Sequence, residues 1–127
     1  ADARSMLTRL SGRCHQVHTA VAICRGSSCH EALRVVTASV HMKAYDRAEV
    51  DRYLTTGEPM GKAGAYSIQG AGGELIARID GDYLGVVGLP LRAVAAMLTE
   101  AGLAVPVDVE RLYREKPYPN WAQFTSN

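Results

Sequence analysis

Two runs rich in β-branched residues constrain this chain more than any other feature: His15 to Cys24 and Leu33 to Tyr45, joined by the polar connector RGSSCHE with Gly26 inside it. Val17, Thr19, Val21 and Ile23 alternate with other residues in the first run, as Val35, Thr37 and Ser39 do in the second. A period of two is the signature of a strand, because successive side chains leave opposite faces. Two such runs around one connector predict an antiparallel hairpin with a longish loop.

Helical signals flank the hairpin. ADARSMLTRL brings Met6, Leu7 and Leu10 to one helical face before Ser11-Gly12 supplies a stop. Asp46-Arg47-Ala48-Glu49 has the form of a capping box, and Val50, Tyr53 and Leu54 follow at i, i+3 and i+4 until Gly57 and Pro59 end the pattern. Glu74 to Ile79 reads as a short strand with Leu75, Ala77 and Ile79 on one side, and Asp80-Gly81-Asp82 reads as a turn. Pro90 then opens PLRAVAAMLTEAG, whose Leu91, Val94, Ala95 and Leu98 form an apolar stripe up to Gly102. Residues 106–127 are a polar, proline-broken tail, so the expected division is a body over 1–105 and a tail over 106–127. Intermixed helices and strands without repeats give an α/β or α+β domain.

At 127 residues there is room for one domain only. Lys and Arg number 14 against 13 Asp and Glu, a formal net charge of +1, and the charges mix along the chain. No basic face is written into it, which disfavours binding to a nucleic-acid backbone. No apolar run is long enough to span a membrane, and Cys14, Cys24 and Cys29 form no CxxC pair, so a reducing cytoplasm is the expected home.

The stretch GKAGAYSIQGAGG, Gly61 to Gly73, is the place that composition singles out for chemistry, since unshielded backbone N–H groups can line an anion-binding concavity. Its spacing matches neither a Walker A loop, because Ala63 follows Lys62, nor a dinucleotide fingerprint. Cys14, His15, His18, Cys24, Cys29 and His30 lack the ligand spacing of a zinc site, and His15 and His18 would leave opposite faces of a strand. Asp80 and Asp82 fit a turn better than a Mg²⁺ site. On the residues alone, the chain presents Lys62, Tyr66 and Gln69 on a small-residue loop and names no reaction.

The series LSGRCHQVHTAVAI, GEPMGKAGAYSIQGAGG and GVVGLPL closely resembles the Maf family of nucleoside triphosphate pyrophosphatases, also described as septum-formation inhibitors, over Ala1 to about Gly102. The resemblance implies an α/β fold of the Maf and inosine triphosphate pyrophosphatase type, with an elongated mixed sheet flanked by helices. It also implies hydrolysis of a nucleoside triphosphate to the monophosphate and pyrophosphate with Mg²⁺ or Mn²⁺. KAGAY followed by Gln69-Gly70 looks like the branch that takes dTTP and UTP rather than 7-methyl-GTP. The substrate-binding residues so implied are Gln69, Lys62, Gly64 and Tyr66. Gln69 would meet a uracil-type edge or a phosphate oxygen, Lys62 would lie near the phosphates, and small residues such as Gly61 and Gly64 would let backbone approach the nucleotide.

The family's phosphate loop, its Asp-Thr pair with the general base and its Lys-Pro segment would all stand before Ala1. The resemblance therefore implies a C-terminal portion with no certain catalytic residue of its own, which binds nucleotide without hydrolysing it unaided. Such a portion would associate with a second copy or with the N-terminal part. The competing expectation is a non-enzymatic regulatory or interaction module linked to septum formation.

Overall fold

A computed structural model describes residues 2–24, 26 and 32–124 of the protein, with Ala63 as backbone only. The connector at 25–31, with Cys29 and His30, lies outside them apart from Gly26. Helix α1 (Asp2–Leu10) leads into strands β1 (Cys14–Ile23) and β2 (Ala32–Met42), then helix α2 (Arg47–Leu54), strand β3 (Ile76–Asp80) and helices α3 (Tyr83–Val87), α4 (Leu91–Glu100), α5 (Val109–Glu115) and α6 (Trp121–Phe124). The three strands form one antiparallel sheet in the order β1-β2-β3. The chain is thus a mixed α/β fold, with the expected hairpin paired from Cys14↔His41 to Ile23↔Ala32.

The buried faces differ in part from those the pattern predicts. In β1 the half-buried positions are the odd ones, Val17, Thr19, Val21 and Ile23, as expected. In β2 the inward residues are Ala38, Val40 and Met42, not Val35, Thr37 and Ser39, because pairing places Val35 opposite the outward Ala20. In β3, Ile76 and Ile79 are buried while Ala77 is exposed. The pairing slips between Met42↔Ile76 and His41↔Arg78, and the extra residue of this bulge breaks the strict alternation.

Aspartates cap the N-termini of α2, α3 and α5. Asp46 Oδ1 accepts from the Glu49 amide at 2.8 Å, so one half of the capping box is realised. Val50 and Tyr53 are buried below it. The second turn aspartate, Asp82, caps α3 by accepting from the Leu84 amide at 3.0 Å. In α4 the fully buried residue is Met97, while Leu91, Val94, Ala95 and Leu98 are only half-buried.

The tail segment is built into the body. Tyr113, Trp121 and Phe124 belong to the same core cluster as Leu7, Val40, Val50, Ile76 and Tyr83. Trp121 stacks on Tyr83 with centroids 5.3 Å apart and planes 9° apart, and meets Tyr113 edge-on at 5.2 Å. Among the described residues no helix is long and apolar enough to cross a membrane.

Candidate functional site

Three elements meet at one cleft of about 360 Å³: β1 contributes Val17, the glycine-rich segment contributes Lys62, Tyr66, Ser67, Ile68 and Gln69, and α3 contributes Val86 and Val87. That size lies at the lower end of the roughly 300–1,000 Å³ common for small-molecule sites. A hydrogen bond from the Thr19 hydroxyl to the Gly85 carbonyl, 2.8 Å, holds α3 against β1 and so fixes the spacing of the apolar wall.

Of the residues expected to bind substrate, Lys62, Tyr66 and Gln69 line the cleft, and the Lys62 and Gln69 side chains are exposed. Gly64 does not line it. It lies beside Met6, Leu10 and Cys14 on another surface, with φ +74°, and a Cβ there would come within 3.0 Å of the Tyr66 ring. Its role in this geometry is to make room for Tyr66.

Tyr66 is buried, and its hydroxyl lies 2.8 Å from His15 Nε2. Burial raises the phenol to about 12, so it stays neutral near pH 7 and serves as a hydrogen-bonding group, not a base. Burial also lowers the pKa of His15, whose Nδ1 is buried without a hydrogen-bond partner. The pair is therefore a neutral imidazole against a neutral phenol.

The loop is shaped by residues outside its own motif. The Glu58 carboxylate accepts from the Ala71 and Gly72 amides, both at 3.1 Å, and from the Tyr53 hydroxyl at 2.7 Å. Partial burial opposes its ionisation, but the hydrogen bonds from Tyr53, Gly72 and Ala71, with some help from the Lys62 charge, hold its carboxyl below the ordinary value. The Tyr53 hydroxyl in turn accepts from the Ser67 amide at 2.8 Å. On the opposite side, Asn120 Nδ2 donates to the carbonyls of Ile68 and Gly70 at 3.0 and 3.3 Å.

These contacts explain several of the glycines. A Cβ at Gly70 would lie 2.5 Å from Glu58 Oε2, one at Gly72 would lie 2.5 Å from the Ser67 carbonyl oxygen, and one at Gly73 would lie 2.6 Å from Asn120 Nδ2. Their bare backbone admits the protein's own clamping groups. Glu58, standing alone just before the glycine run, was the one signal available; nothing in the sequence pointed to Asn120.

The cleft lining includes no carboxylate. Asp80 is engaged by Arg78 and His41, and Asp82 by the Leu84 amide and the Tyr113 hydroxyl. Among the described residues no three His, Cys, Asp or Glu side chains converge. The Mg²⁺ or Mn²⁺ implied by resemblance, which needs several oxygen ligands, therefore does not fit the residues that line this cleft.

The cleft is assembled from the same three segments that carry the LSGRCHQVHTAVAI, KAGAYSIQG and VVGLPL motifs. The profile of the family described as Maf-like protein matches residues 1–101. The chain belongs to the Maf-like family. It is 52% identical over 106 residues to a dTTP/UTP pyrophosphatase of Bordetella parapertussis, covering 84% of this chain and 50% of that protein. Proteins of the same name from Methylobacillus flagellatus and Myxococcus xanthus are 49% and 48% identical over 105 residues, covering 83% of this chain and 52% of each. This Maf-like chain thus spans about half the length of the curated relatives it matches.

Proposed function

We propose that this Maf-like chain contributes the Lys62 and Gln69 side of a site for dTTP or UTP, in an enzyme that splits the triphosphate into monophosphate and pyrophosphate. The supporting observation is that the exposed Lys62 and Gln69 side chains share one cleft with an apolar wall, in a chain about half identical to proteins named dTTP/UTP pyrophosphatase. A carboxamide both donates and accepts, which matches the mixed edge of a uracil-type base; an ionised carboxylate only accepts. Lys62 supplies a mobile ammonium for phosphate oxygens, and Val17, Val86 and Val87 offer the flat side of the base an apolar surface.

The lining offers no carboxylate or imidazole to act as a general base, and Tyr66 is held neutral. On this reading the 127-residue chain binds nucleotide without turning it over, and Mg²⁺ or Mn²⁺ is taken up through ligands other than the lining of this cleft. Calorimetry with dTTP, UTP and 7-methyl-GTP tests the reading. Selective uptake of the pyrimidine nucleotides is expected. Silence with all three would favour a non-enzymatic interaction module, and chelator-sensitive pyrophosphate release by the 127-residue chain would place the base within it.

Self-association belongs to the same reading. Strand β1 is at one end of the sheet order, and Leu33 and Val35 are 67% and 61% exposed on the hairpin. Open strand edges and exposed apolar side chains favour pairing between copies. Sedimentation of the purified chain checks this, with a monomer at all concentrations as the contrary result.

A further inference from the structure

The loop that carries Gln69 is held at its two flanking carbonyls by a residue outside the family-matched segment. Asn120 Nδ2 reaches the Ile68 carbonyl at 3.0 Å and the Gly70 carbonyl at 3.3 Å, the residues immediately before and after Gln69. Both partners are acceptors only, so the amide nitrogen of Asn120, and not its oxygen, must face them. The Maf-like match ends at residue 101.

Asn120 is itself fixed by strong local constraints. Its φ is +69°, a left-handed conformation that Asn tolerates better than most residues. The next residue, Trp121, is 1% exposed and sandwiched between Tyr83 and Tyr118, with centroids at 5.3 and 6.1 Å. The preceding residue, Pro119, accepts from the Tyr83 hydroxyl at 2.5 Å through its carbonyl. Gly73 leaves the space that the carboxamide fills. An aromatic stack centred on the buried Trp121 and Tyr83 therefore delivers one polar side chain to the backbone on either side of Gln69.

We propose that Asn120 is a positioning residue for the nucleotide site, holding the 68–70 backbone so that the Gln69 side chain stays on the cleft. The proposal rests on the reading of Gln69 as a nucleotide contact, but its structural half stands apart from it. Donation to the Ile68 carbonyl fixes the peptide plane that enters residue 69, donation to the Gly70 carbonyl fixes the plane one residue beyond the one that leaves it, and a side chain follows its own backbone. Without that anchor the loop would still be held by Glu58 at Ala71 and Gly72 and by Tyr53 at Ser67, but the Ile68 carbonyl next to Gln69 would lose its side-chain donor.

The test uses the 127-residue chain with Asn120→Asp and Asn120→Gly. Asp keeps the size and tolerates the left-handed backbone but cannot donate when ionised; Gly keeps the backbone and removes the group. The readouts are amide hydrogen exchange in residues 67–73, exchange in β3 as an internal reference, and dTTP affinity by calorimetry. With two hydrogen bonds removed, both variants are expected to raise exchange in 67–73 by about tenfold with β3 unchanged, and to weaken dTTP binding by about tenfold.

Unchanged exchange in 67–73 in both variants would overturn the proposal, as would an equal rise in β3, which would mean general loosening. Loss of dTTP affinity without any change in exchange would also overturn it, by making Asn120 a direct contact. If the unaltered chain takes up neither dTTP nor UTP, the functional reading fails, while the exchange measurement still decides whether Asn120 holds the loop.

Discussion

The Tyr53 hydroxyl stands between the Glu58 carboxylate, to which it donates at 2.7 Å, and the Ser67 amide, from which it accepts at 2.8 Å. One phenol on α2 thereby joins the residue that clamps the end of the glycine-rich loop to a residue within its cleft-lining part. Burial, followed by the neighbouring Glu58, keeps the Tyr53 proton on well above its ordinary value, so the donor and acceptor roles hold throughout the neutral range.

Replacing Glu58 with Ala removes the acceptor of three hydrogen bonds, although water reaches this half-buried position and replaces part of the loss. A destabilisation of about 1–2 kcal/mol is expected, read from urea unfolding. Glu58→Gln should flatten the acid limb. A carboxyl whose pKa is lowered on folding contributes stability that is fully present above its unfolded value of 4.5 and is lost as pH falls through the folded value.

Gln69→Glu should leave the fold intact, since the side chain is exposed, and weaken dTTP binding by about tenfold, the value of one good hydrogen bond to the nucleotide removed or reversed in sense. An unchanged dissociation constant would remove Gln69 from the site.

Burial lowers the pKa of His15 from 6.5, so its contribution is fully present above that pH and is lost as pH falls through the folded value. His15→Gln should therefore show a smaller loss of urea midpoint between neutral pH and the acid side of 6.5 than the unaltered chain does. A steeper loss in the variant would contradict the assignment.

Among the glycines, Gly72→Ala and Gly61→Ala should differ. At Gly61, with φ +75° and open space around a new Cβ, only backbone strain applies, about 1 kcal/mol. At Gly72 the new Cβ would lie 2.5 Å from a backbone oxygen, which cannot move without shifting the loop, and a larger loss of melting temperature together with weaker dTTP binding is expected.

The hairpin, α2 and α4 were legible because hydrophobic period and capping chemistry are local. Alternation places Leu75 and Ile79 of the β3 region correctly but not Ile76 and Ala77, since the bulge opposite His41 is set by a neighbouring strand and not by the segment's own residues. Helix α3 escapes the pattern because Gly85 and Gly88 blur it and Asp82 reads as a turn residue, although it caps the helix. The cleft was legible in Lys62, Tyr66 and Gln69, which share one motif. Glu58 and Asn120 were not, because each acts on backbone atoms at least ten residues away and leaves no periodic trace.

Trp121 lies beyond the last residue shared with the family profile and is nevertheless 1% exposed among Tyr83, Tyr113 and Tyr118. The packed interior of this protein thus reaches past the segment that the family profile covers. A product trimmed at that boundary would have an open wound in its interior, so the last stretch belongs to whatever keeps the rest standing.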